Sequence, residues 1–337
     1  MQKMRATIKD VAREAGVSVS TVSYTLNRKG PAIKETHKRV LAAVEKLGYV
    51  PDATARSLVN SRTNNFAVLI GSIPEIEQDP YDLELISAFS RGLARAGCWM
   101  SLYMDDRKHP DQVEMLLRDA KIDGLVTVRT GGLPENSLKL IRQRQIPFIA
   151  YEDHTLEEDC SVSITVDSEP GFRQAIEHLL SLGHRKILGF SFREDSERFQ
   201  IIRKQLQNHG IEPGLVNSTG ISLESAYQDM KAFLERGEEL PTAVVTPTDL
   251  TAIGVVRALT EHGYRVPQDV SVIGFDDIHE ARQMLPPLTT ISQNISSTVA
   301  MICRRLIELR DGEDSPERKI TVGTTLIIRG STGPARE

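Results

Sequence analysis

Cysteine is scarce in this 337-residue chain: only Cys98, Cys160 and Cys303 occur, far apart and in no CxxC spacing. A disulfide framework and a cysteine metal site are both excluded on that pattern, and buried thiols are the expectation. Aromatic residues make up 5% of the chain, and the one tryptophan, Trp99, is expected in the core at the entry to a strand. No run of about 18 apolar residues offers a membrane span. Met1 to Asp10 lacks the apolar stretch and cleavage site of a secretory signal, so a cytoplasmic protein is expected. Catalytic signatures are missing as well. There is no GxSxG, Walker loop, HExxH or GxGxxG, and His279-Glu280 has no second histidine at the needed spacing. No enzymatic activity, no cofactor and no metal are therefore expected.

What is present is the composition of a soluble globular protein, 40% hydrophobic and 26% charged, at a length that suits two or three packed units. The net charge of −5 hides an asymmetry. Residues 1–62 hold 12 Lys/Arg against 5 Asp/Glu, a net +7, which leaves −12 on the rest. A basic head on an acidic body suits contact with a polyanion, the body being repelled from it; a merely solvated basic face is the alternative.

Within the head, Ile8, Val11, Ala12 and Ala15 recur at i, i+3, i+4, i+7, the stripe of an amphipathic helix. Thr7 can cap it with Asp10 in a capping box, and Gly16 can end it. Ser18 can cap a second helix immediately, which makes a helix-turn-helix. On that second helix Val22 and Leu26 face inward, leaving Val19, Ser20, Ser23 and Tyr24 outward as base-reading candidates. A third stripe, Val40, Leu41, Val44 and Leu47, closes a three-helix core before Gly48.

The run TIKDVAREAGVSVSTVSYTLN, followed by GYVPDATARSL, resembles the N-terminal signature of the LacI family of transcription regulators over about fifty positions. By position, the resemblance implies that Thr7, Ser18, Thr21, Asn27 and Thr36 hold the phosphate backbone and that Val19 and Ser20 address base edges. The last reading position, commonly Arg in the family and suited to a bidentate pair with guanine, is Tyr24 here, so a different preferred half-site is implied. Ile33 and His37 also replace the more usual Ser and Arg. Pro51 to Asn60 reads as an ordinary linker or as a helix too short to stand alone. The resemblance implies a hinge helix that orders on DNA, with Leu58 as the minor-groove wedge and Ala55 and Arg56 beside it.

Beyond the polar stretch Ser61 to Asn65, short β-rich runs (FAVLIG, WMSLYM, GLVTV, PFIAY, VSITV, KILGF, AVVT, VSVIGF, LTTI) alternate with helical stretches such as Asp82 to Ala96, Pro170 to Leu182, Ser196 to His209 and Leu250 to His262. This alternation predicts an α/β body of two doubly wound parallel-sheet lobes behind the all-α head. Ligands in such sheets bind beyond the carboxyl ends of strands, which draws attention to Ser72, Arg129, Glu152, Ser191, Thr248 and Asp276.

LSLGHRKI, EHGYRVPQDVSVIGFDDI and PPLTTISQ extend the resemblance to the family's effector domain, itself similar to periplasmic sugar-binding proteins. It implies that Arg198 grips an effector's oxygens and that Asp276 accepts from its hydroxyls; a structural ion pair is the alternative for both. Thr248 stands where many relatives have Asn, and Ile221 where they have an aromatic platform. Tyr81, in the DPY segment, could supply an aromatic wall from the other lobe, with Ser72 beside it. The boundaries expected are a head at 1–50, a hinge and linker at 51–64, one lobe from 65–165 with 294–323, and a second from 166–293 with 324–337. The tail after Gly330 is too short for a heptad zipper, so a homodimer on a near-palindromic operator is expected.

The expectation is a DNA-binding regulator, a repressor, whose effector is a sugar or related polar metabolite held between the lobes. A solute-binding protein without a DNA role is the alternative, and it would show a signal peptide and no basic head. A doubly wound enzyme would need a nucleophile, metal set or cofactor loop at a strand end.

Overall fold

In the computed structural model the described residues are 6–27, 34–49, 62–71, 79–105, 111–119, 121–191, 196–212, 214–220, 222–313 and 317–336. Ile33, Ala55, Arg56, Leu58, Ser72 and Ile221 lie outside them. The chain forms two compact units, Met1–Thr63 and Asn64–Glu337.

The first unit carries three described helices: α1 (Ile8–Ala15), α2 (Val19–Asn27) and α3 (Lys34–Leu47). Thr7 caps α1 in the expected capping box. Its amide and hydroxyl both donate to Asp10 Oδ2, at 2.9 and 2.6 Å, and these bonds hold the Asp10 carboxyl below its ordinary pKa. Gly16 ends the helix at φ +63°, a left-handed conformation that glycine adopts without Cβ strain. The core gathers Val11, Ala12, Ala15, Val22, Val40 and Ala43. The third stripe is corrected here: Leu41 is exposed and Ala43 is buried. From Val40 a helix returns to the same face at positions 43, 44 and 47, whereas position 41 lies about 100° round.

The second unit contains two six-stranded sheets. The first has the order β11-β5-β4-β3-β1-β2, built from β1 (Asn65–Gly71), β2 (Trp99–Asp105), β3 (Gly124–Val128), β4 (Phe148–Tyr151), β5 (Val162–Asp167) and β11 (Lys319–Gly323), all parallel. The other runs β12-β10-β9-β8-β6-β7, from β6 (Ile187–Ser191), β7 (Gly214–Asn217), β8 (Ala243–Val245), β9 (Ser271–Asp276), β10 (Thr289–Ser292) and β12 (Thr325–Ile327), with β12 alone antiparallel. Helices α4 (Pro80–Arg95), α5 (Asp111–Asp119) and α6 (Glu135–Arg144) belong to the first lobe. Helices α7 (Glu169–Ser181), α8 (Glu197–Gln207), α9 (Leu223–Glu235), α10 (Asp249–Glu261) and the short α11 (His279–Gln283) belong to the second. Helix α12 (Ile295–Asp311) leaves β10 of one sheet, packs on α4 of the other lobe and leads to β11. The chain thus crosses between lobes after β5, β10 and β11.

Trp99 is 73% exposed rather than buried. It opens β2, which pairs only with β1 and so forms the edge of its sheet; strand entry alone does not imply burial. Cys98 and Cys303 are buried, but Cys160, in the turn before β5, is only half-buried.

Candidate functional site

In the first unit, α2 begins three residues after Gly16. Ser18 Oγ accepts the Thr21 amide at 3.1 Å and pairs with the hydroxyls of Ser20 and Thr21 at 2.7 and 2.8 Å. A cluster of hydroxyls thus surrounds the positive end of the helix, where phosphate oxygens are favoured. Val19 and Tyr24 are exposed at 40% and 58%, Ser20 is exposed and Ser23 half-buried, while Val22 is buried beneath them. The expected reading positions therefore share the outer face of α2. Thr25, which sequence reading passed over, turns inward with Val22. Thr7 spends its hydroxyl on Asp10, and Thr36 is half-buried in the first turn of α3.

In the second unit, strand order reverses between β1 and β3 in one sheet and between β6 and β8 in the other. Such switch points leave a crevice at the carboxyl ends of strands. At the first, the ends of β1 and β3 approach so closely that a Cβ on Gly71 would lie 2.0 Å from the Arg129 carbonyl oxygen, so no other residue fits. Arg129, Glu152, Asp276 and Asp277 all have positive φ, at +50°, +54°, +123° and +61°. Strained backbone of this kind concentrates where side chains must be aimed at a ligand.

The side chains at these ends form one polar chain across the lobes. Tyr81 Oη lies 3.3 Å from Tyr151 Oη and donates to Gln293 Oε1 at 3.1 Å; Gln293 Nε2 donates to Asp276 Oδ1 at 2.6 Å. Arg198 stands 3.8 Å from the same Asp276 oxygen, donates to the Pro247 carbonyl at 2.6 Å, and stacks 3.9 Å over the Phe275 ring. Arg129 pairs with Asp82 and lies 5.0 Å over the Tyr81 ring. Tyr81 is itself 2% exposed, so it serves as a hydroxyl link with a guanidinium over its ring. Ser191, buried at the end of β6, pairs with Ser196 at 2.7 Å. Thr248 caps α10, accepting the Thr251 amide at 3.1 Å.

Burial dominates the electrostatics. It pushes the Asp276 carboxyl up to about 7 against the pull of Arg198, and raises Tyr151 to about 12. Asp249, buried beside Asp276 and held by the Thr290 hydroxyl and the Ile278 amide, is raised well above the carboxylate range. Glu152 is also raised by burial, although it accepts the Val166 amide. A cavity of about 280 Å³ opens on Asp276 past Glu84, Ser292 and Asn294, and adjoins one of about 430 Å³ between α4, α11 and the start of α12. Between the lobes, Glu84 Oε1 accepts the His279 amide at 2.5 Å.

Sequence reading missed Tyr151, Gln293, Asp249 and Asp82. Tyr151 and Gln293 end or follow strands and were open to the strand-end rule; Asp249 and Asp82 lie in first turns of helices and carried no such signal. Among the described residues, no group of three or more His, Cys, Asp or Glu could hold a metal ion, and no helix is long and apolar enough to cross a membrane.

A helical head with an exposed, hydroxyl-rich second helix, joined to two doubly wound lobes that share a polar cleft, defines a ligand-controlled DNA reader. Comparison with known proteins agrees. The pattern described as "Bacterial regulatory proteins, lacI family" matches residues 7–52, and that of a "Periplasmic binding protein-like domain" matches residues 176–332. The HTH-type transcriptional repressor PurR of Mannheimia succiniciproducens is 33% identical over 339 residues, covering 97% of this chain and 98% of that protein. PurR of Haemophilus influenzae (strain PittEE) is 34% identical over 344 residues, with the same coverage. A crystal structure of the lac repressor dimer bound to operator and the anti-inducer ONPF is similar at 26% identity and a TM-score of 0.79, over 98% of this chain and 99% of that one. The chain belongs to the LacI family of bacterial regulatory proteins.

Proposed function

We propose that the protein is a cytoplasmic transcriptional repressor that binds a near-palindromic operator as a homodimer and changes affinity when a small polar metabolite enters the cleft, with no bond-making chemistry of its own. The observation that carries the effector part is the Tyr151–Tyr81–Gln293–Asp276–Arg198 chain, which links side chains of both lobes at the crevice. Three described arginines at the cleft each face a carboxyl group, Arg129 with Asp82, Arg198 with Asp276 and Arg282 with Asp277. An anionic ligand would have to compete with those groups for the guanidiniums. A neutral polyhydroxylated ligand finds hydroxyl, amide, carboxylate and guanidinium partners for groups it must desolvate, which favours a sugar over a sugar phosphate.

We assign the effector roles to Tyr81, Arg129, Ser191, Arg198 and Asp276, with Thr248 placing the loop that carries the Pro247 carbonyl; Ser72 and Ile221 keep the roles implied by family position. Ser18, Thr21, Asn27 and Thr36 are assigned to the phosphate backbone, Val19, Ser20, Ser23 and Tyr24 to base edges, and Leu58 with Ala55 and Arg56 to the minor groove; Thr7, whose amide and hydroxyl both donate to Asp10, is assigned to fixing the start of α1 instead of to a phosphate. The head is taken as 1–50 and the hinge as 51–64. The lobes are taken as 65–165 with 294–323 and 166–293 with 324–337; the sheet membership of β10, β11 and β12 supports this division, while β5 carries the first lobe two residues further, to Asp167.

The dimer is supported by the exposed edge strand β2, where Trp99, Leu102 and Met104 are 73%, 40% and 49% exposed, and by Leu285 of the second lobe at 93%; apolar exposure of this kind favours association. Coupling is assigned to α12. It starts two residues after Gln293 of the cleft and carries Arg310 near its far end, roughly 22 Å from its first residue at 1.5 Å per residue. Arg310 donates at 3.1 Å to Asn64, the last residue of the linker and the first of the second compact unit. A duplex selected from a randomised library by the full-length protein, titrated in mobility shifts with neutral sugars and their phosphates, tests the reading. An affinity change with a neutral sugar is expected; a response to phosphorylated compounds alone refutes the charge argument.

A further inference from the structure

We propose that Arg39 is a positioning residue for DNA reading: from α3 it clamps the turn that aims α2, without itself contacting DNA. Its guanidinium Nη2 donates to the Ala15 carbonyl at 2.5 Å and to the Gly16 carbonyl at 3.2 Å. These are the last carbonyls of α1 and its cap, groups that a helix end leaves without internal partners, and a cation there also opposes the negative end of the helix dipole. The cap uses Gly16 N–H toward Arg13 and Val17 N–H toward Ala12 but supplies no donor to Ala15 or Gly16. Arg39 supplies both.

Gly16 has a second reason to be glycine here. A Cβ at that position would lie 2.7 Å from Arg39 Nη2, so its absence admits the guanidinium as well as the left-handed turn. The connector between α1 and α2 is only Gly16, Val17 and Ser18, and Ser18 is already the cap of α2. Displacement of the Ala15–Gly16 carbonyls therefore passes directly to the hydroxyl cluster and to Val19, Ser20 and Tyr24. Apolar packing restrains only the inner side of the turn, where Ala12, Ala15 and Ala43 are buried. A surface cavity of about 320 Å³ opens beside it, lined by Glu14, Ala15, Gly16, Arg39, Ala43 and Lys46 among others. Only two described polar ties bridge α1 to α3 there, Arg39 and the exposed Lys46–Glu14 pair at 2.6 Å. An exposed ion pair contributes little, and a core of this size leaves small margin, so the guanidinium carries the alignment.

The test uses full-length dimer, a palindromic duplex selected by the unmodified protein, and poly(dI–dC) as the nonspecific partner. Arg39→Ala and Arg39→Met are each expected to weaken binding to the selected duplex by about tenfold or more, in line with loss of a charged hydrogen bond. The slope of log affinity against log salt should stay unchanged, because no phosphate contact is lost. Arg39→Lys keeps the charge, but its ammonium ends one bond short of the Nη2 position that donates to both carbonyls, so it should recover only part of the loss. Amide hydrogen exchange over residues 15–18 should accelerate in the Ala and Met variants, a readout that holds even where one variant loses affinity through instability. A slope reduced by about two per dimer with full rescue by lysine would make Arg39 a phosphate contact and overturn the proposal, as would unchanged affinity or unchanged exchange at the turn.

Discussion

Replacing Asp276 by Asn should stabilise the effector unit at alkaline pH, by an amount that grows as pH rises. Asp276 ends β9 in the buried centre of the cleft, and burial lifts its carboxyl from 3.8 to about 7 despite Arg198 and the Gln293 amide. A folded-state pKa above the unfolded value means that the native state holds a proton where the unfolded chain has lost it. The contribution is therefore neutral below about pH 3.8, turns against the native state as pH rises, and is complete above about 7. A carboxyl lifted that far costs the native state about 4 kcal/mol at pH 8, and about 2 kcal/mol at pH 5. Asn keeps an oxygen for Gln293 and has no charge to desolvate; it also relieves Asp249, which Asp276 pushes upward. The difference in unfolding free energy between variant and parent should thus rise by roughly 2–3 kcal/mol between pH 5 and pH 8. Chemical denaturation of both proteins across that range reads it directly. A difference that is flat with pH, or that falls, would refute the assignment of a buried, proton-retaining carboxyl.

Four further outcomes follow from the same geometry. Arg198→Ala should abolish sugar-induced thermal stabilisation while leaving a dimer that still binds DNA, because the partly exposed guanidinium covers the Phe275 ring from the cleft and is not itself part of the apolar core. Arg310→Ala should leave sugar binding and operator binding in place but reduce the effector-dependent change in operator affinity by about threefold or more, as measured by mobility shift with and without sugar. Trp99→Lys should convert the dimer to monomer in sedimentation, and the emission of the parent's single tryptophan should shift to the blue as protein concentration rises. Binding to the selected duplex should weaken steeply between low and physiological salt, and a flat dependence would contradict phosphate contact by the basic head.

Much of this molecule was legible in the chain. The capping box at Thr7 and the glycine turn at Gly16 depend on neighbours within three or four residues, and local interactions of that range are written in sequence spacing. The alternation of β-rich and helical runs marked two doubly wound lobes for the same reason, since each run reports its own burial period. Gly214–Asn217, Lys319–Gly323 and Thr325–Ile327 went unseen because they lie at sheet edges, half exposed and without the continuous apolar run that marked the equally short Ala243–Val245.

Tertiary structure decided the rest. Whether Trp99 is core or edge depends on whether a neighbour pairs with the far side of β2, and no residue near position 99 carries that information. The pairing of Asp276 with Gln293, Arg198 and Asp249 joins residues up to 78 positions apart, and Arg39 reaches Ala15 across 24. A sequence pattern can say that a buried acid or an exposed arginine is present. Its protonation and its partner are set by desolvation and by donors brought in from elsewhere in the chain, which exist only once the sheets have closed on the cleft and α3 has folded back onto α1.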